Sequence, residues 1–385
     1  MLALLTHIDI TNLPQEVLIA TPGVSNAVAN DGQDDADAFQ AAIDFLSAQR
    51  KAGVTAESTI YIPNGVFELG KTLEVNGPDI AFEGAGKGLT LLKNADVFQI
   101  GTEGLPDLGT EISSVNQDAY LFDLDQNAVN VSFTNMTLTG AEVHGAILGF
   151  KANSLEISDV EFNNFLWSSV RLFNSSDAKI YDNVFIDAGG RAQGTSGITG
   201  GSIYATYLRE SEIYNNDFSI SKEHVGNVFG IKGRQFTNTR IHHNTINMNF
   251  AIELPFENDQ FVEIDHNFLG GLVSIPKHAG GAVPDNGFTF HIHHNYFTKS
   301  YALEWARNGV EVDHNVFNFS AVQDGGNLIT NHGNQSVSGP TKFHNNLIIN
   351  PGRGIVRSKG VQNNFSFYNN EIIASTTATP RVEGL

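Results

Sequence analysis

Apolar and polar positions in this chain follow two rhythms. Between residues 34 and 52 (DDADAFQAAIDFLSAQRKA), Phe39, Ala42, Ile43, Phe45 and Leu46 fall on a helical stripe opened by acidic residues, which predicts a helix over 35–52. From STIYIPNGVFEL (58–69) and LEVNGPDIAFEGAGKGLTLL (73–92) onward, short segments alternate apolar and polar residues, as strands with one buried face do. Further along, one phrase recurs: an apolar residue, two polar ones, Asn, any residue, then an apolar one. It reads IYDNVF (180–185), IYNNDF (213–218), IHHNTI (241–246), IDHNFL (264–269), IHHNYF (292–297), VDHNVF (312–317), FHNNLI (343–348) and FYNNEI (367–372), with degenerate copies FTNMTL (133–138) and ISDVEF (157–162).

The fourth position of each phrase gives a ladder: Met136, Val160, Asn183, Asn216, Asn244, Asn267, Asn295, Asn315, Asn346 and Asn370, with a mean step of 26 residues. A period in the twenties built from short strands suits one coil of a parallel β-helix, whose coils stack about 4.8 Å apart. Leucine-rich repeats share the period, but their leucine framework is absent. The ladder Asn has a structural reason: at a sharp corner it tolerates left-handed geometry, and its amide reaches the equivalent Asn one coil away. The predicted helix would cover the open end of the solenoid. The expected fold is therefore all-β, a right-handed parallel β-helix of about ten coils with an N-terminal capping helix. No Pro/Ser-rich linker interrupts it, so residues 1–385 read as one domain whose cap region is about 1–57.

The order GQDDADAFQAAID, IYIPNGVFELGKTL, IAFEGAGKGLTLLKN resembles the N-terminal part of the pectate-lyase-type right-handed β-helix superfamily. The resemblance covers residues 30–93 by motif and the rest by repeat. It implies that fold and leaves the activity open among lyases, hydrolases, epimerases and tailspikes.

Composition narrows the partners. Lys and Arg total 22 against 42 Asp and Glu, a net charge of −20, which argues against wrapping nucleic acid or anionic membranes. The absence of cysteine excludes disulfides, thiolate zinc sites and cysteine nucleophiles. No apolar run is long enough to span a bilayer. The start, MLALLTHIDITNL, has no basic n-region or small-residue cleavage site. A secreted, extracellular or periplasmic place is nevertheless expected from the substrate class argued next, and a monomer is expected because no trimerisation region is evident.

In a solenoid, polar side chains inside apolar strands mark the functional face. The strands after the ladder phrases are FGIKGRQ (229–235), FAIELPFEN (250–258), GLVSIPKHAG (271–280), YALEWARNG (301–309), NLITNHGN (327–334) and GIVRSKG (354–360). In or beside them stand Lys232, Arg234, Glu253, Glu257, Lys277, His278, Tyr301, Glu304, Arg307, Asn331, His332, Arg353 and Arg357. Six are Lys or Arg, and such a column in an acidic chain points to an extended anionic ligand, an acidic polysaccharide. Aligning VSIPK (273–277) with LEWAR (303–307) puts Lys277 and Arg307 at equivalent positions of consecutive coils. β-Elimination of a uronic-acid polymer needs a neutralised carboxylate, a base for the C5 proton and an acid for the leaving oxygen. A lysine with a depressed pKa, an arginine fork and a tyrosine such as Tyr301, or His278, could fill those roles.

This stretch resembles polysaccharide lyase family 6. The base lysine of that family would match Lys277 in Ile275-Pro276-Lys277, and its following arginine would match Arg307 in Arg307-Asn308-Gly309. The resemblance implies alginate as substrate, Lys277 as base, and Arg307 with Lys232 as carboxylate binders. Calcium-binding glutamates precede the lysine in that family, whereas Leu272-Val273-Ser274 stand here. Neutralisation would then fall to Arg, His or Asn, as in the calcium-independent lyases of family 31. No metal ligand is assigned, and calcium stays open through the acidic cluster Glu253, Glu257 and Asp259.

Rival readings exist. Glu253 and Glu304, matched in AIE and ALE two coils apart, lie at a spacing that suits an inverting glycoside hydrolase. A C5-epimerase and a non-catalytic tailspike or adhesin share the fold. The ladder histidines (His242–His243, His266, His293–His294, His314, His344) could hold a transition metal, but their repetition at the corner favours imidazole stacking.

Overall fold

The computed structural model describes residues 5–54, 58–96, 98, 120–140, 143–187, 200–221, 228–254, 260–275, 289–299, 302–305, 309–321, 328–331, 341–351, 356–357, 365–373 and 382–383. Two compact units form, residues 1–205 with 220–226 and residues 206–219 with 227–385. Each is built from parallel strands wound into two sheets, and the fold is a parallel β-helix.

The first unit opens with the strand His7–Asp9, paired in parallel with Ser58–Ile62, and a short helix α1, Gln15–Ala20, neither evident in the apolar pattern. Helix α2, Ala36–Lys51 with Asp35 at its N-cap, agrees with the predicted 35–52 and buries Phe39, Ala42, Ile43, Phe45 and Leu46. It covers a strand edge. Gln40 Nε2 donates to the Glu74 carbonyl at 3.0 Å and its Oε1 accepts the Glu74 N–H at 2.9 Å, so a side-chain amide takes the place of a neighbouring strand beside Leu73–Val75. Asp35, buried at the helix start, accepts the N–H groups of Val28 and Glu68.

Alternation sets the strands. Ser58–Ile62 and Gly65–Leu69 each bury their first, third and fifth residues. Coils then add in register: Ile157 pairs with Phe133 and Ile180, and Phe162 with Leu138 and Phe185. Aromatic rings stack along the axis inside, Phe82 on Phe133 at 4.8 Å and Phe162 on Phe185 at 4.8 Å. Burying such columns supplies most of the stabilisation, at about 25 cal/mol per Å² of apolar surface.

In the second unit, Ile213, Ile241, Ile264, Ile292, Val312 and Phe343 form one fully buried register column. At its corner stands the asparagine ladder. The Asn244 Oδ1 accepts both the N–H and the Nδ2 of Asn216, at 3.0 and 2.9 Å, and the Asn244 N–H and Nδ2 donate to Asn267 Oδ1. The pattern repeats through Asn295, Asn315, Asn346 and Asn370, each Nδ2 also donating to backbone carbonyls. Hydrogen bonding between coils is thus as expected, but the left-handed role is not. The positive φ belongs to the residue before each rung: Asn215 (54°), His243 (54°), His266, His294 and His314 (53° each), Asn345 and Asn369 (53° each). Asn, Asp and His are the non-glycine residues most tolerant of that region, which explains why histidine recurs there. Those imidazoles stack, with centroids 5.0–5.1 Å apart and planes within 3–6° from His243 through His266 and His294 to His314.

No helix among the described residues is long and apolar enough to cross a membrane.

Candidate functional site

The second sheet of the second unit is built from Phe229–Arg234, Phe250–Glu253, Leu272–Ile275, Leu303–Trp305, Ile329–Asn331, Val356–Arg357 and Val382–Glu383. Their register aligns Lys232, Glu253, Ser274, Glu304, Thr330, Arg357 and Glu383 in one column. Lys232, Glu253 and Ser274 each interrupt an otherwise apolar run.

Lys232 is buried, and its Nζ lies 2.6 Å from Glu253 Oε2 and 4.1 Å from the centroid of the Phe229 ring. Burial pushes the Lys232 pKa down, the Glu253 carboxylate opposes this, and Arg234, two residues along the same strand, adds to the lowering. Two rungs beyond Glu253, Glu304 is 8% exposed and accepts a 2.9 Å hydrogen bond from the Ser274 hydroxyl. Two coil spacings separate their backbones, about 9–10 Å.

The column is not uniformly basic: Lys232 and Arg357 share it with Glu253, Glu304 and Glu383, and Lys232 is held by Glu253. Asn331 pairs with Trp305, one register position past the column. The expected alignment of VSIPK with LEWAR holds as far as the strands run, with Val273 on Leu303, Ser274 on Glu304 and Ile275 on Trp305. Lys277, His278, Tyr301, Arg307, Glu257, His332 and Arg353 lie outside the described residues, as does Asp259.

The first unit carries a comparable face that the sequence reading passed over. Its second sheet aligns Glu74, Asp123, Leu148 and Arg171. Arg171 is 2% exposed; its guanidinium lies 3.8 Å from the Tyr204 ring centroid and 5.5 and 5.6 Å from those of Phe173 and Trp167. Sandwiching a buried arginine among rings replaces lost hydration with cation–π attraction. Beside it stands Tyr120, whose hydroxyl pKa burial pushes far up, and Tyr120 meets His144, pushed by burial down to about 4, with ring centroids 6.4 Å apart. The signal was present, since SSVRLFN and YLFDLD also interrupt apolar strands with charge.

No family model and no curated protein sequence match the chain. Solved structures do. The catalytic unit of a GH87 α-1,3-glucanase from Streptomyces thermodiastaticus is similar at 13% identity and a TM-score of 0.63, over 97% of this chain and 69% of that one. The surface adhesin PfbA of Streptococcus pneumoniae matches at 15% identity and a TM-score of 0.59, over 95% and 91%. The A-module of the mannuronan C-5 epimerase AlgE6 of Azotobacter vinelandii matches at 15% identity and 0.52, over 92% and 98%. At such identities the likeness shows the fold, a parallel β-helix.

Proposed function

We propose that this protein is an exported enzyme that hydrolyses a polysaccharide laid along the second sheet of its second unit. Glu253 and Glu304 would be the working carboxylates. The observation that carries this reading is their shared register column, two rungs apart, with one carboxylate paired with Lys232 and the other accepting the Ser274 hydroxyl. The spacing leaves room for a water between carboxylate and sugar, the arrangement of an inverting hydrolysis. Glu253, as the ion-paired carboxylate, activates the water; Glu304 protonates the leaving oxygen. The pairing of Lys232 with Glu253 offsets that positive charge, which is compatible with a neutral glycan. The glucanase and epimerase names among the similar folds support a polysaccharide as the ligand class.

One observation keeps elimination as a second reading. The register sets Val273–Ile275 beside Leu303–Trp305, and Lys277 and Arg307 each follow two residues after those strands in the sequence. On that reading the substrate is a uronic-acid polymer such as alginate, Lys277 is the base, Tyr301 or His278 the acid, and Arg307 the carboxylate binder.

The test is a panel of neutral and uronic polysaccharides, followed by reducing ends and by ultraviolet absorbance of unsaturated uronyl ends. Hydrolysis raises reducing ends without absorbance. Glu304→Gln and Glu253→Gln each lower kcat about 10²-fold or more, and Lys277→Ala leaves it near normal. Unsaturated product together with a dead Lys277→Ala replaces this reading with the lyase. Retention of a glycan without turnover replaces both with a binding protein.

A further inference from the structure

We infer that the second unit holds a site for a divalent first-row transition-metal ion on its ladder sheet, formed by Glu263, His291 and His293. The strands Gln260–Asp265 and Phe290–His293 pair in parallel, with Glu263 opposite His291 and Asp265 opposite His293. Glu263 Oε1, His291 and His293 each offer a ligand atom, and these atoms lie within 4.8 Å of one another. His293 Nε2 is already 2.8 Å from Glu263 Oε1. Bonds of about 2.0–2.2 Å to an ion place ligand atoms roughly 3.3 Å apart, so the group needs only a modest closing of side chains. Glu263 and His291 are 41% and 42% exposed, free enough to move and open to the solvent from which an ion arrives.

Orientation separates this pair from the stacked imidazoles of the ladder. The stacked imidazoles from His243 to His314 lie face to face, which keeps their nitrogens apart. His291 and His293 instead tilt by 40° with centroids 4.1 Å apart. The surroundings suit an ion as well. His293 Nδ1 lies 2.9 Å from His294 Nδ1, so an ion on Nε2 leaves a proton on Nδ1 with an acceptor waiting, the outer partner that metal-bound histidines use. Asp313 Oδ1 lies 2.6 Å from His291 Nε2 and adds negative charge beside the site, while its other oxygen bonds His314 Nδ1. The nearby cation, Arg240, is engaged by both oxygens of Asp265, at 2.8 and 2.7 Å, and lies 3.5 Å from Glu263 Oε2, which leaves Oε1 for the ion. Two imidazoles and one carboxylate select zinc, nickel or copper over calcium and magnesium, which prefer all-oxygen shells. Glu253 and Glu304 lie on the other sheet, so the inference stands apart from the catalytic reading.

Zinc serves as the probe on the full chain. After chelator treatment and dialysis, equilibrium with zinc at micromolar concentration should load one ion per chain. His291→Ala and His293→Ala should each weaken binding at least about tenfold, while a His266→Asn/His314→Asn double variant should keep it. Cobalt in the wild-type chain gives a second readout that needs no variant: intense visible bands of a four- or five-coordinate nitrogen–oxygen site. No bound zinc overturns the inference. So does zinc kept by His291→Ala and lost from the double variant, which would put the ion on the stacked imidazoles, or a cobalt spectrum of the plain hexaaqua ion.

Discussion

The two units solve the same corner with different ladders. In the second unit, seven asparagines from Asn216 to Asn370 occupy successive rungs and pass hydrogen bonds from coil to coil. In the first, Met136 and Val160 stand at the equivalent rungs, and only Asn183 donates an amide there, to the Ile157 carbonyl, while its Oδ1 accepts the Val160 N–H. Yet the left-handed residue before the rung is present in both: Asn135, Asp159 and Asp182 in the first unit, Asn215 and the four histidines in the second. The turn and the amide ladder are therefore separable. The turn needs a residue that tolerates positive φ, whereas the rung needs only something that fits a buried corner. The amide adds a polar chain that must be complete, because any gap leaves buried groups unpaired.

The largest effect expected from this difference is at a middle rung. Asn267→Ala leaves the Asn244 N–H and the Ile241 and Asp265 carbonyls without its amide, and each such group costs about 1–3 kcal/mol, so the loss should be at least about 3 kcal/mol. Val160→Ala in the first unit removes only methyl groups, at about 0.8 kcal/mol each. Urea unfolding of both variants reads the contrast. Equal losses would mean that the amides contribute no more than packing does.

A pH effect of similar size belongs to the first unit. His144, 3% exposed, has its pKa held by burial at about 4, against about 6.5 in the unfolded chain. Below 6.5 the unfolded chain binds the proton and the folded chain refuses it. The contribution is therefore complete above pH 6.5 and falls away as pH drops toward 4, by about 3 kcal/mol. The chain has two tryptophans, Trp167 in the first unit and Trp305 in the second, so Trp305→Phe leaves a fluorescent reporter beside His144. His144→Asn should flatten the slope between pH 6.5 and 4; an unchanged slope would remove His144 as its cause.

The smallest effect sharpens the separation of turn from ladder. His314→Val and Asp159→Val each force a β-branched residue into left-handed backbone and should cost roughly 1–2 kcal/mol in either unit. Replacement by Asn should be neutral within about 0.5 kcal/mol in both. If valine is tolerated in one unit only, the corner depends on its ladder after all.

The phrase with Asn at its fourth position, the spacing between copies and the stripe from Phe39 to Leu46 were enough for the sequence alone to determine a capped solenoid of parallel strands. These are local signals: alternation selects the buried face, helical spacing selects the cap, and repetition of one phrase forces stacking. The roles within the corner were legible only in part, since the motif shows Asn and His side by side and not which of them carries positive φ. The strands carrying Lys232, Glu253 and Glu304 could be aligned from their apolar pattern, and the backbone register puts these three residues in one column. That Lys232 is held by Glu253, that Arg171 sits among aromatic rings, and that His291 converges with His293 on Glu263 were decided by the tertiary structure. Steps along the ladder range from 20 residues, between Asn295 and Asn315, to 33, between Asn183 and Asn216. With coils of such unequal length, sequence distance does not say which side chains become neighbours. Backbone hydrogen bonding between rungs sets that, and charge pairing and burial follow from it.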